Sequence, residues 1–432
     1  MLGELAGQAA RRFGDRAVFV SSQGWELSYR QLDRISDEVA AGLRRRGVRE
    51  GDVVALCLPA VPEYMTLYVA AAKAGAVTAG VNPRLSPAER QGVLGLAAPR
   101  LVVATPELTP AGGDFDLYEL APAEGPETML AGLRDPGGDT STVPDDPDRP
   151  VVVVFTSGTT GAPKGALFCN RQLEAVTRVD VGDSWGGGGR SQAATALAHL
   201  GPMTKFPGNL RRGGTTYLTE RWRAEEALAF IERHRATTIG GIPTQVALML
   251  RVKDFDRYDT SSVKAIVMGG GPSTASLVRE ARRRFRAPVA LRYSCTEAAI
   301  GVGTALDDPE EDAEVSVGRP LRGVELSILD EADRPVPPGE VGAVCLKSPA
   351  VMSGYFRDPE GTRAAFTPDG SVRTGDLGWL DDRGRLHLAG RTKEMYVRGG
   401  YNVYPVEVEA ALAEHPAVSA AAVVPRPDPV MG

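Results

Sequence analysis

The sequence predicts an α/β protein built on largely parallel sheets, with a smaller β-rich part in its last third. Short β-branched runs alternate with segments of helical period, the pattern of strand–helix crossovers. From residue 315 to 346 the segments shorten, are separated by Gly and Pro, and read as strands alone. The chain has 432 residues, 43% apolar and 24% charged. That is the make-up of an ordinary soluble globular chain of two or three domains, and it excludes mini-protein, disordered and fibrous classes.

The elements follow in order. Ser28-Tyr29-Arg30-Gln31 has capping-box form, and Leu32, Ile35, Val39 and Leu43 recur at helical spacing until Gly47, predicting an amphipathic helix. Residues 53–58 read as a buried strand. Pro62 opens a helix that ends near Gly75; this most apolar stretch, 64–77, is short and carries Lys73, so it reads as core and not as a membrane span. Ser86-Pro87-Ala88-Glu89 supplies a second cap. Residues 105–150, with scattered Pro, Gly and Asp, read as a surface connection with little secondary structure. Val151-Val152-Val153-Val154-Phe155 reads as a strand buried on both faces. The alternation then resumes with a helix at 223–234, strands at 237–240 and 263–268, a helix at 274–285 and a strand at 289–293.

A net charge of −6 argues against a nucleic-acid or membrane-surface binder, because attraction to phosphate needs a basic field. Arg44-Arg45-Arg46 and Arg282-Arg283-Arg284 fall near helix C-termini, where cations complement the dipole. Cys57, Cys169, Cys295 and Cys345 show neither metal spacing nor a disulfide framework, so a reducing cytoplasm is the expected location. Met1-Leu2-Gly3-Glu4 opens no secretory signal. His234, His387 and His415 are isolated and predict no zinc site.

The strongest chemical signal is Thr156-Ser157-Gly158-Thr159-Thr160-Gly161-Ala162-Pro163-Lys164-Gly165, directly after the 151–155 strand. Glycines let backbone approach an anion, hydroxyls donate to phosphate oxygens, and Lys164 adds a cation. It is a phosphate cradle by composition but not a Walker P-loop.

Here the chain resembles the adenylate-forming superfamily of acyl- and aryl-CoA synthetases, luciferases and peptide-synthetase adenylation domains. Further matching segments follow in family order: the stretch from Gly51 to Glu89, Ala198-His199, Gly269-Gly270-Gly271-Pro272, Tyr293-Ser294-Cys295-Thr296-Glu297, Arg373-Thr374-Gly375-Asp376 and Gly390-Arg391-Thr392-Lys393. The resemblance implies a large N-terminal adenylation domain, residues 1–392, of two doubly wound α/β subdomains plus a small β-barrel-like one. A fragment of a small, mobile α+β domain follows at 393–432. It implies that the 156–164 loop handles the ATP β- and γ-phosphates, that the Tyr293 ring stacks on adenine beside Gly269, Gly270, Gly271 and Ser294, that Thr296 donates to the α-phosphate, and that Glu297 ligates Mg²⁺. Asp376, read as lying in a turn after 366–372, would accept from the ribose hydroxyls, with Arg391 reaching the same sugar. Lys393 would be the hinge. His199 would gate the acyl pocket; a satisfied core histidine is the competing reading. Ser294-Cys295 departs from the family's usual Gly, which leaves local geometry and pocket shape open.

Gly399-Gly400-Tyr401-Asn402 resembles CoA ligases, placing Gly399 and Gly400 on a CoA tunnel and favouring CoA as acceptor. No Asp near 199–209 suits an α-ammonium, which disfavours an amino-acid substrate. The acyl wall by motif is His199, Gly201, Met203, Gly241, Gly269, Gly271, Ser294 and Ala299. Its small residues either leave room for a bulky, apolar acid (aryl, polycyclic or fatty) or answer backbone geometry. The expected activity is ATP-dependent conversion of that acid to acyl-AMP and then to acyl-CoA. Delivery to a carrier protein is the alternative, and a non-catalytic nucleotide-binding homologue a third, against which Thr156, Lys164, Glu297 and Asp376 argue. A homo-oligomer stays open. The family's late Pro-x-x-x-x-Gly-Lys segment is not found, so the sequence reads as a fragment that adenylates slowly.

Overall fold

The computed structural model describes all residues except 157–162, 194, 399–400, 414, 416–417, 419–420 and 427–432. The chain divides into two compact units: residues 1–237 with 352–363, and residues 238–351 with 364–432.

In the first unit the caps form as the sequence predicts. The Ser28 hydroxyl accepts from the Gln31 amide at 3.1 Å, and the Gln31 side chain accepts from the Ser28 amide at 2.9 Å, opening the helix Tyr29–Arg45. Leu32, Ile35, Val39 and Leu43 are its buried face. Ser86 and Glu89 cap Pro87–Ala97 in the same way. The helix Pro62–Ala74 is buried almost all round and stops at Gly75, whose φ of 76° is left-handed. Lys73 is tolerated there because its ammonium meets the Asp33 and Asp37 carboxylates, each at 2.6 Å, and the Asp33 carbonyl at 3.0 Å. A buried charge is stable only when paired and hydrogen-bonded in this way.

These helices flank a seven-stranded sheet in the order Gly354–Tyr355, Gly165–Cys169, Pro150–Phe155, Val77–Gly80, Val53–Cys57, Leu101–Ala104, Asp116–Glu119. The last five strands are parallel. Pro150–Phe155 then turns back antiparallel into Gly165–Cys169. A smaller sheet carries Glu26–Ser28, Ala17–Val20, Thr215–Tyr217 and Arg190–Gln192.

The connection at 105–150 differs from the expectation in two places. Asp116–Glu119 is an edge strand, hidden from sequence because one face is wet and no apolar run results. Met129, Leu130 and Leu133 are buried, and the Leu133 carbonyl lies where a Cβ at Gly42 would sit.

The second unit holds a five-stranded sheet. Its first three strands, Thr238–Gly241, Ala265–Gly269 and Val289–Tyr293, are parallel, and Val302–Gly303 and Arg319–Pro320 add antiparallel. Thr274 caps the helix Ala275–Phe285 through the Leu277 amide at 3.2 Å. The β-rich part is a four-stranded antiparallel sheet of Glu325–Leu329, Gly342–Lys347, Val372–Leu380 and Leu386–Arg391. Asp312, fully buried, binds Arg385 and Arg319 at 2.7 Å each, and Arg385 passes to Asp381 at 2.6 Å. A hairpin, Tyr396–Arg398 with Tyr401–Val403, and the helix Pro405–Ala413 follow. Among the described residues no helix is long and apolar enough to cross a membrane.

Candidate active site

The chemistry-bearing residues fall on both units, and each set has its own geometry. In the first unit, Phe155 pairs with Gly165 across an antiparallel turn, and Thr156 and Lys164 close its base. The Thr156 amide donates to the Lys164 carbonyl at 2.9 Å, and the Lys164 amide donates to the Thr156 hydroxyl at 3.4 Å. A Cβ at Gly165 would lie 2.5 Å from Val153, so that glycine serves strand packing. Ser157, Gly158, Thr159, Thr160 and Gly161 lie outside the described residues. The Lys164 ammonium sits 4.7 Å from the centre of the Tyr355 ring, a contact of cation–π range. Nothing in the sequence marks Tyr355: it arrives because Gly354–Tyr355 pairs with Gly165–Cys169.

His199 precedes the helix Leu200–Arg212 and is exposed, not a core histidine. Its Nε2 lies 3.4 Å from the Asn82 amide nitrogen. Partial desolvation, then the Arg84 charge, hold its pKa below the ordinary histidine value. Gly201, on the first turn of the helix, has open space where a Cβ would point. Met203 is fully buried, and its carbonyl accepts from the Tyr68 hydroxyl at 3.0 Å.

In the second unit, Asp376 is not in a turn. It lies within the strand Val372–Leu380, where the pairing partners run from Cys345↔Arg373 to Ala343↔Leu377, so this strand carries two extra residues. Gly375 makes the arch possible with a φ of 79°. The Thr374 hydroxyl braces it, donating to the Val344 carbonyl at 2.9 Å and accepting from the Asp376 amide at 3.1 Å. The turn expected from the polar Arg-Thr-Gly-Asp run is thus a bulge inside a strand.

The arch buries Asp376 and aims it at two partners. The Tyr293 hydroxyl, from the end of Val289–Tyr293, donates to Oδ2 at 2.6 Å, and Arg391 Nε meets Oδ1 at 3.2 Å. Burial raises the Asp376 pKa above the usual carboxylate value; the Tyr293 bond and Arg391 oppose this, and the charges of Glu297 and Glu394 add to it. Thr296 and Glu297 are half-buried in the turn that follows Tyr293. Cys295, enclosed beside Glu297, has its thiol pKa pushed up by burial first and by that carboxylate second. The Ser294 hydroxyl donates to the Cys295 carbonyl at 3.1 Å. Ala299 is buried with a left-handed φ of 61°.

The glycines expected to line an acyl pocket divide. A Cβ at Gly269 would lie 2.6 Å from the Arg292 carbonyl oxygen, and Gly270 has a φ of 76°, so backbone geometry demands both. At Gly271 the nearest atom would be Pro243 Cδ at 3.5 Å, an ordinary contact, and at Gly241 it would be Gln245 Oε1 at 2.7 Å, an atom held by the Ile242 amide at 3.1 Å. Lys393 is exposed just past Arg391, and the neighbouring Thr392 amide donates to the Gly375 carbonyl at 3.1 Å. Gly399 and Gly400 lie outside the described residues. Among the described residues no group of three or more His, Cys, Asp or Glu side chains could hold a metal ion.

The family model described as AMP-binding enzyme matches residues 7–356. A feruloyl-CoA synthase from Amycolatopsis sp is 33% identical, across 98% of this chain and 85% of that protein. A fatty acid–[acyl-carrier-protein] ligase from Streptomyces coeruleorubidus is 31% identical, across 95% of this chain and 80% of that protein. The crystal structure of ATP-bound MatB from Rhodopseudomonas palustris matches with a TM-score of 0.87 at 26% identity, covering 100% of this chain and 87% of that one.

Proposed function

This chain belongs to the AMP-binding enzyme family, within the adenylate-forming superfamily, and from that premise we propose how its residues perform the work of an AMP-forming acyl-CoA ligase. The observation that carries the reading is the buried Asp376 held by Tyr293 and Arg391. A carboxylate oxygen has two acceptor sites, so each oxygen of Asp376 keeps one for a ribose hydroxyl. The Tyr293 ring, fixed by its own hydroxyl, offers a face to adenine, and Arg391 lies beside the sugar. Gly269, Gly270, Gly271 and Ser294 complete the nucleotide's surroundings.

In the first step a carboxylate oxygen of the substrate attacks the ATP α-phosphorus; the bond to the bridging oxygen breaks and pyrophosphate leaves. Thr296 donates to the α-phosphate. Lys164, oriented by Tyr355, and the hydroxyls and amides of 156–161 neutralise the β- and γ-phosphates. Mg²⁺, when bound, spreads the phosphate charge. Glu297 would hold it with phosphate oxygens and water, since a carboxylate is the hard oxygen donor that suits this ion. In the second step the CoA sulfur attacks the acyl carbon and AMP leaves. His199 gates the acyl pocket, Gly399 and Gly400 border the CoA path, and Lys393 hinges the segment from 393 onward against the adenylation domain 1–392.

The acid is bulky and mostly apolar: aryl, polycyclic or fatty. The open space beyond Gly201 supports this, as do relatives named for feruloyl and fatty acyl groups. Met203 in the first unit, and Gly241, Gly271 and Ala299 in the second, are the further candidates for contact with the acid. A second reading, transfer to a carrier protein in place of CoA, is favoured by the carrier-protein ligase among the relatives. Acid-dependent pyrophosphate release across a panel of acids, with mass spectrometry of parallel CoA and carrier-protein reactions, tests both. Release confined to acetate and propionate would overturn the bulky-acid reading.

A further inference from the structure

We infer that Asn82 is a positioning residue that holds His199 in its Nδ1-protonated tautomer, with Nε2 turned toward the protein and Nδ1–H left as the ring's free donor. The inference deepens the reading of His199 as the acyl-site gate and rests on it.

The assignment follows from donor and acceptor capacity. Asn82 lies two residues past the strand Val77–Gly80, and its side-chain oxygen accepts from the Arg84 amide at 3.0 Å. That bond fixes which way the carboxamide faces. Its NH₂ is then the group turned to His199 Nε2 at 3.4 Å. An NH₂ only donates, so Nε2 must present a lone pair, and a neutral imidazole with a bare Nε2 carries its proton on Nδ1.

The surroundings hold this pair in register. The His199 amide donates to the Ala196 carbonyl at 3.2 Å, and its carbonyl accepts from the Met203 amide at 3.2 Å, so the backbone is fixed on both sides. A Cβ at Gly80 would lie 3.1 Å from Ala198 Cα and 2.7 Å from the Tyr64 hydroxyl, so the strand end that carries Asn82 is pressed against the turn that carries His199. That Tyr64 hydroxyl is buried without a hydrogen-bond partner and is uncharged. Arg84 is the charged group felt by the ring, and with desolvation it favours the neutral form. A protonated ring would turn an N–H toward the Asn82 NH₂ and lose the bond. The free Nδ1–H can donate to an oxygen of the acid or thioester; in this tautomer it cannot take a proton from the CoA thiol.

The chain has four histidines, so ring-¹⁵N NMR of the whole protein resolves them, with H199A assigning the signal. The expected result at neutral pH is a protonated Nδ1 and bare Nε2 for His199. In Asn82→Asp the pattern should reverse, because a carboxylate accepts where the amide donated, and proton affinity should rise about tenfold or more. The acid limb of acyl-CoA formation should move with it. Asn82→Ala should give mixed tautomers in a protein of unchanged secondary structure. A wild-type His199 protonated on Nε2, or a folded Asn82→Asp variant with unchanged pattern and titration, would overturn the inference. The NMR result needs no substrate: if H199A left acid activation and thioester formation intact, the gating role would fall while the tautomer was still decided.

Discussion

Replacing Tyr293 by Phe keeps the ring but removes the hydroxyl that donates 2.6 Å to Asp376. A hydrogen bond to a charged group is worth about 1.5–3 kcal/mol, so ATP affinity, read by calorimetry, should weaken on the order of tenfold or more. Because the bond favours the ionised carboxylate, the pH below which binding fails should also rise; unchanged affinity and pH dependence would show that Asp376 does not hold the ribose. Two glycines make a second pair of tests. Gly201→Ala adds a methyl into open space on a helix, so the protein should stay folded while kcat/KM falls for bulky acids and not for short ones. Gly269→Ala forces a methyl against the Arg292 carbonyl and should lower thermal stability by about 1–3 kcal/mol. At this scale the sequence was legible in residue types: Tyr293, Asp376 and Arg391 could each be singled out. That the tyrosine hydroxyl closes on the aspartate depends on bringing together residues 83 apart. Tyr355 carried no signal, and Asn82 lay unsingled within the matching 51–89 stretch, since their placement comes from strand pairing and a loop end.

The helix Pro62–Ala74 carries an ionisable group that its caps do not explain. Glu63 is buried, and burial pushes its carboxyl up to about 7 from 4.5, against the lowering effect of its own backbone. A raised carboxyl favours the protonated folded state, so the stability it contributes is full below about pH 4.5 and is lost as pH rises through about 7. The wild-type chain should therefore lose up to about 3 kcal/mol between pH 5 and 8 from this residue. Glu63→Gln should flatten that slope in denaturant titrations; parallel pH profiles for the two proteins would refute it. Helices and strands were the most legible level of the structure, because capping boxes at Ser28 and Ser86 and the apolar run at 151–155 are local signals. The edge strand Asp116–Glu119 and the Gly375 arch were not. One lacks an apolar run, and the other is a register shift set by the neighbouring strand.

Each unit has its own core, so damage to one should be readable apart from the other. Asp312→Ala leaves Arg319 and Arg385 without their shared carboxylate in the second unit. Breaking a buried pair costs about 3–5 kcal/mol. Hydrogen exchange should quicken across 238–351 and 364–391, while 1–237 keeps its protection; uniform loss of protection would contradict independent cores. The alternation of strands and helices made the fold class readable, but the assignment of 352–363 to the first unit was not, because it depends on the pairing of Gly354–Tyr355 with Gly165–Cys169. That return has a cost in time. At about 5–20 residues per second of synthesis, the edge of Gly165–Cys169 waits roughly 10 to 40 s for its last neighbour to leave the ribosome. An open strand edge is a template for unwanted pairing, and Lys164 lacks its aromatic partner for the same interval. The proposed phosphate-binding side of this enzyme is thus finished late in translation, although Thr156 and Lys164 are made early.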